Sequence, residues 1–171
     1  SGDIVNVTNL TIKAAEYLGS GNSINTELAN SMLDAITLSN SSGVLDNTTY
    51  LRLGSGEASY PSVLSIYSGQ APSYASDTAT GTLLATHTVP NSTELFGTPS
   101  SGVIDLASSI TITASDNGTA GYFRLTKTHS LYGTLVIQGG VATDTSQAMT
   151  IDSLSFETGV SRSVTSLRVT M

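Results

Sequence analysis

Two histidines, His87 and His129, are the side chains of this 171-residue chain best suited to move protons near neutral pH. His87 alternates with Leu83, Ala85 and Val89 on one side of an extended segment, and it reads as a hydrogen-bonded strand histidine. His129 falls in 127–131, which reads as a connecting turn. Neither has a second histidine or a carboxylate at metal-ligand spacing. The chain has no cysteine, so thiolate metal sites and disulfides are excluded. Serines abound, yet none sits in a Gly-x-Ser-x-Gly elbow between a strand and a helix. Gly54-Ser-Gly-Glu57 is too short to cradle a phosphate. Asp144, Asp152 and Glu157 offer carboxylates of the kind glycosidases pair, but they lie near turns and read as solvated charge. Asp116-Asn-Gly118 could lend oxygens to calcium, without the run of alternating ligands that a calcium loop needs. The expectation is therefore a protein that is not an enzyme, with no catalytic, cofactor-binding or metal-binding residue and no cofactor.

The elements that would carry these residues are mainly strands. Ile110, Ile112 and Ala114 alternate with threonines, Asn117-Gly118 supplies a tight-turn signal, and Phe123 and Leu125 alternate with Arg124 and Thr126. That pattern predicts a hairpin joining 109–115 to 122–127. Further strands are expected at 50–53, 63–67, 82–89, 134–138, 149–156 and 164–171, spaced as in a sandwich. No βα alternation is present. One amphipathic helix is expected at 25–38, where Leu28, Met32 and Ile36 recur every fourth residue and Ala29 and Leu33 widen the stripe. Ahead of it, residues 1–22 read as an extended arm: Ile4, Val5, Val7, Leu10 and Ile12 favour strand, and Gly19-Ser-Gly21 forms a hinge. The expected fold is all-β in the main. It is an antiparallel β-sandwich or jelly-roll-like domain over 44–171, preceded by the helix and linker at 23–43 and the arm at 1–22.

Composition narrows the partners. Charged residues make up 11% of the chain and the net charge is −7, which disfavours nucleic acid because phosphates are met by Lys and Arg. Ser and Thr together supply roughly three residues in ten, a composition that suits a broad sheet surface. No stretch has the length of a membrane span. The opening Ser-Gly-Asp-Ile4 has no signal-peptide pattern, and either loss of an initiator Met or cleavage of a precursor would produce such a start. Tryptophan is absent, and Tyr60, Tyr67 and Tyr74 cluster as a candidate contact patch, with Tyr67 read as packing at a strand edge with its hydroxyl wet. An uncharged, strand-forming arm is a template for pairing with another subunit. Ile4, Val5, Val7, Leu10, Ile12, Tyr60 and Tyr74 are accordingly the candidate partner contacts.

Several segments, taken in order, resemble a family of small tailed-bacteriophage virion structural proteins of the head decoration, cement or accessory type. They are Leu64-Ser-Ile-Tyr-Ser-Gly-Gln-Ala-Pro72, Thr80-Gly-Thr-Leu-Leu-Ala85, Phe96-Gly97, Ser101-Gly-Val-Ile104, Gly118-Thr-Ala-Gly-Tyr-Phe-Arg-Leu125, Val136-Ile-Gln-Gly-Gly-Val141 and the closing run from Gly159 to Ser163-Val-Thr-Ser-Leu167. The resemblance spans about Ser62 to the end, and the helix more loosely. It implies a structural role on the capsid exterior, with the major capsid protein or other virion subunits as partners. A homo-oligomer is expected, a trimer by preference. The alternative is a tail or fibre module that contacts a host receptor or glycan.

Overall fold

The computed structural model describes residues 60–90, 93–129 and 133–170. The expected arm, the helix at 25–38 and the strand at 50–53 lie outside the described residues. Within them the chain is mainly β. Ten strands follow one another: β1 (Ser62–Ser68), β2 (Leu83–Thr88), β3 (Val103–Ile104), β4 (Ile110–Thr113), β5 (Gly118–His129), β6 (Gly133–Ala142), β7 (Met149–Ile151), β8 (Ser155–Phe156), β9 (Ser161–Leu167) and β10 (Val169–Thr170). Seven of them run β2-β1-β5-β6-β7-β9-β4 through a single sheet, and β8 adds to β5. Only the β6–β7 pair is parallel; the other ladders are antiparallel. The two end strands of this path meet again through one bridge, Ala85 to Ala114, so the sheet curls almost into a barrel.

Bulges do the curling. In the β1–β2 ladder Tyr67 pairs with Leu83 while Ile66 pairs with Ala85, which leaves Leu84 as the extra residue. Leu84 and Ala85 are both fully buried as a result, whereas Leu83 is 40% exposed. A second bulge falls at Gly121, because Tyr67 pairs with Tyr122 and Ser68 with Ala120. A third leaves Thr165 unpaired between Ser166 and Val164 in the β7–β9 ladder. Each extra residue bends and twists its strand, as closing a sheet requires.

The interior fills in rows across strands. Ala85, Ile66, Phe123 and Gly139 are successive cross-strand partners, and so are His87, Leu64, Leu125 and Ile137. Gly139 is opposite Phe123 for a steric reason: a Cβ there would come within 2.9 Å of the phenyl ring. Met149, Ile151, Val164, Leu167, Ile112 and Phe156 close the core from the remaining strands. Burying these branched and aromatic side chains contributes about 1.5–3 kcal/mol each before chain entropy is counted.

The expected hairpin between β4 and β5 does not form. β4 pairs with β9, and β5 pairs with β1 and β6. The Asp116-Asn117 corner instead carries the chain from the sheet's end strand to its middle. Asp116 Oδ1 accepts from the Asn117 amide at 2.7 Å, and Asn117 Oδ1 accepts from the Thr158 amide at 2.9 Å. The tight two-residue turn of this fold is at Ser100–Val103. There Ser101 and Gly102 have φ of 53° and 74°, and the flanking amides and carbonyls bond reciprocally. That turn closes a hairpin-like segment, 93–107, whose Leu95, Phe96 and Ile104 are buried in the core cluster. The single strand expected over 149–156 is two, β7 and β8. The one expected over 164–171 begins at Ser161 and breaks at Arg168, whose amide bonds Ala148. His129 is the last residue of β5 and not part of a turn.

Gly121 combines the bulge with a close backbone approach, since a Cβ there would be driven into the Gly69 carbonyl. Gly121→Ala is expected to destabilise the protein by about 1–3 kcal/mol, the usual cost of overpacking. It should appear as a lower urea midpoint at unchanged slope. An unaltered midpoint would contradict the described contact.

Candidate functional site

Polar chemistry gathers on the outer face of β5. Along this strand Phe123 and Leu125 point inward, which sends Tyr122 and Arg124 outward. An outward face is normally wet, yet Tyr122 is 1% exposed and Arg124 7%. The cover is the β1–β2 connection, residues 69–82, which lies back over the sheet as a strap. Arg124 donates from Nη1 to the Asp77 carbonyl at 2.8 Å and from Nη2 to the Ala75 carbonyl. The Tyr122 hydroxyl donates to the Thr80 carbonyl and accepts from the Thr80 amide at 2.8 Å. Gln138, the cross-strand neighbour of Arg124 on β6, donates from Nε2 to the Pro72 carbonyl at 2.8 Å. Tyr67 stacks on Tyr122 with ring centroids 5.1 Å apart. Arg124 Nε and Gln138 Oε1 are buried without a protein partner, a donor and an acceptor left on adjacent strands beneath the strap. The tip of the strap is closed by a reciprocal turn, in which the Asp77 amide donates to the Tyr74 carbonyl and Asp77 Oδ2 accepts from the Tyr74 amide. Tyr74 is left 63% exposed on this tethered tip.

A second polar fastening holds the segment 93–107. Asp105 accepts from the Leu106 and Leu167 amides and from the Ser166 hydroxyl, all at 2.8–2.9 Å, and Arg168 lies 3.3 Å from it. Partial burial disfavours the Asp105 carboxylate. The bonds from Ser166, Leu106 and Leu167 and the Arg168 charge outweigh that effect and hold its pKa below the ordinary value. Asp144 is held low as well, chiefly by the hydroxyl and amide of Ser146.

A pocket of about 140 Å³ opens where β2 and β4 separate. Val89, Pro90, Leu95 and Ile110 make its apolar wall, and His87 and Glu94 contribute its titratable groups. Burial pushes the His87 imidazole below its ordinary pKa, so the neutral ring is favoured there.

The candidate residues that are described fall on different elements. Ile4, Val5, Val7, Leu10 and Ile12 lie outside the described residues. Tyr60 is half-buried ahead of β1, Tyr67 is in the stack with Tyr122, and Tyr74 is on the strap beyond the other end of β1. Asp144, Asp152 and Glu157 are all exposed. Among the described residues no group of three or more His, Asp or Glu side chains is disposed to hold a metal ion. Sequence reasoning missed Tyr122, Arg124 and Gln138 as strap anchors. The available signal was a lone arginine inside a strand pattern, following a Gly- and Pro-containing connection too long for a simple turn.

Comparison with known proteins gives no match to a family model, a curated protein or a solved structure.

Two outcomes follow from this geometry. Arg124→Met keeps the apolar stem but removes both bonds to the strap, each worth about 1.5–3 kcal/mol before the relief of a buried charge is counted. Chymotrypsin should then cut after Tyr74 several-fold faster than in the parent protein; equal rates would contradict the anchoring. Asp105 has a depressed folded-state pKa, so the folded form binds fewer protons than the unfolded form in acid. Its contribution is present above the unfolded carboxylate value, about 3.9, and is lost as pH falls through the folded value. Asp105→Asn should lower stability near neutrality by about 1–3 kcal/mol and flatten its decline below about pH 4, as read by denaturation at several pH values.

Proposed function

We propose that the chain is a bacteriophage virion structural protein that decorates or cements the capsid exterior, binding the major capsid protein lattice as a homo-oligomer, with a trimer preferred. One observation carries this reading: five of its charged and amide side chains fasten surface segments. Arg124 and Gln138 hold the strap, Arg162 donates to the Ser155 carbonyl, Asn117 holds Thr158, and Asp105 ties 93–107 to β9. Segments immobilised in this way lose little further entropy on docking, which favours repeated contacts with a lattice. The hydroxyl-rich, weakly charged composition and the virion-like segments from Ser62 onward support the same reading. The finer description as a jelly-roll-like sandwich belongs to it, with β2-β1-β5-β6 as one layer facing β7-β9-β4. The arm containing Ile4, Val5, Val7, Leu10 and Ile12 would contact a neighbouring subunit, with the helix at 25–38 at the joint.

Tyr74 favours a second reading, a tail or fibre module for a host receptor or glycan. A phenol 63% exposed on a tethered tip is a ready stacking surface for a sugar ring.

Image reconstruction of intact virions that carry the chain is the test. The expected result is the barrel of residues 60–170 repeated over the capsid exterior. Density confined to the tail would favour the second reading, and particles without the chain would overturn both. Deleting residues 1–20 should leave the barrel folded and weaken its attachment to the particle; undiminished attachment would remove the arm from this account.

A further inference from the structure

Among the described residues the sheet has one unfinished seam. β2 and β4 run antiparallel and meet at Ala85 and Ala114, where the Ser115 and Asp116 amides both donate to the Leu84 carbonyl. Among the described residues this is their one bridge, and beyond it the strands part. The pocket lies between the end of β2 and the start of β4, where Val89 and Ile110 are part of its apolar wall. Backbone direction can be read along β2. Val89 donates its amide to the Ser62 carbonyl, so odd positions face β1. Even positions, including Leu84, face the seam. Thr88 therefore directs its amide and carbonyl into the open part of the seam, beside the pocket. Such an edge is a template for an added strand, and an adjacent apolar pocket selects which side chain the strand carries.

The chain itself supplies a matching segment. Residues 1–59 precede the described barrel, and the chain enters β1 at this same end, since Ser62 is bonded to Val89 and Val89 lines the pocket. Within that length Ile4-Val-Asn-Val-Thr-Asn-Leu-Thr-Ile12 has strand-forming composition and no charge. Leu10 and Ile12 fall on one side of an extended segment, with Thr11 between them on the other. The 47 residues from Lys13 to Ser59 are enough to span the molecule even when far from fully extended. We infer that the β2–β4 seam is the receptor for residues 4–12 of the arm, which add along the Thr88 edge of β2 and place Leu10 in the pocket. The inference deepens the assembly reading, since it names the surface that the arm engages, but it requires no virion.

Because the chain lacks cysteine, paired cysteines report this contact directly. Thr88→Cys, an exposed site, is combined in the full-length protein with one cysteine at each position from 6 to 12 in turn. Thr145→Cys, exposed in the β6–β7 connection, replaces Thr88→Cys in the controls. Disulfides require Cα atoms about 4.4–6.8 Å apart, so a docked strand should crosslink at the one or two positions that lie opposite Thr88, several-fold above the remaining positions and the control. Crosslinks within a chain or between chains both support the inference. Crosslinking that is uniform along the segment, or no greater than with Thr145→Cys, would overturn it. The readout is made on purified protein. Failure to find the chain on particles would therefore sink the virion reading and leave this one standing, and the reverse also holds.

Discussion

The constraint on which the rest of the structure depends is that β5 is buried on both faces. A strand in a curled sheet has one face in the core, and its other face is expected to meet water. Here that second face carries Tyr122 and Arg124, and the strap between β1 and β2 covers it. Burying a guanidinium is costly unless its donors are met, and two backbone carbonyls of the strap meet Nη1 and Nη2, while Nε has no protein partner. The requirement is mutual. The strap carbonyls at Ala75 and Asp77 gain donors, and the buried arginine gains acceptors.

Other features follow from that mutual need. The strap leaves β1 beside β5, so the Gly69 backbone passes close to that of β5, and Gly121 is the residue that allows it. The bulge at the same residue turns β5 and helps the sheet curl toward its nearly closed form. Curling brings β4 back to β2, and the seam with its pocket remains where the two strands fail to finish closing. The proposed role in a lattice draws on the same economy: side chains that elsewhere converge on substrates are used here to hold loops still.

Much of this was legible in the sequence, and what was not has a physical cause. Strand identity came through well because alternation is a local property: Ile110, Ile112 and Ala114, or Phe123 and Leu125, mark their own faces. Pairing did not. Asn117-Gly118 has the chemistry of a tight hairpin, yet β4 pairs with β9, from Ile110 opposite Val164 to Thr113 opposite Ser161, and no local pattern encodes a partner about fifty residues away. The turn with positive φ at both central residues falls at Ser101-Gly102, a weaker signal than Asn-Gly. The two-residue strands β3, β8 and β10 are too short to show a period. Alternation puts Leu83 on one face with Ala85 and His87, but the bulge at Leu84 turns it outward. The importance of Arg124 was hidden for a related reason: a charge on a strand signals solvent until the loop that covers it is known.

Native-state amide exchange tests the central claim most directly. If the strap and β5 are one cooperative unit, the Thr80 amide, which donates to the Tyr122 hydroxyl, should be protected. It should also open together with the Leu125 amide as denaturant is added. Exchange of the strap amides at the rate of a free loop, with β5 still protected, would contradict the account.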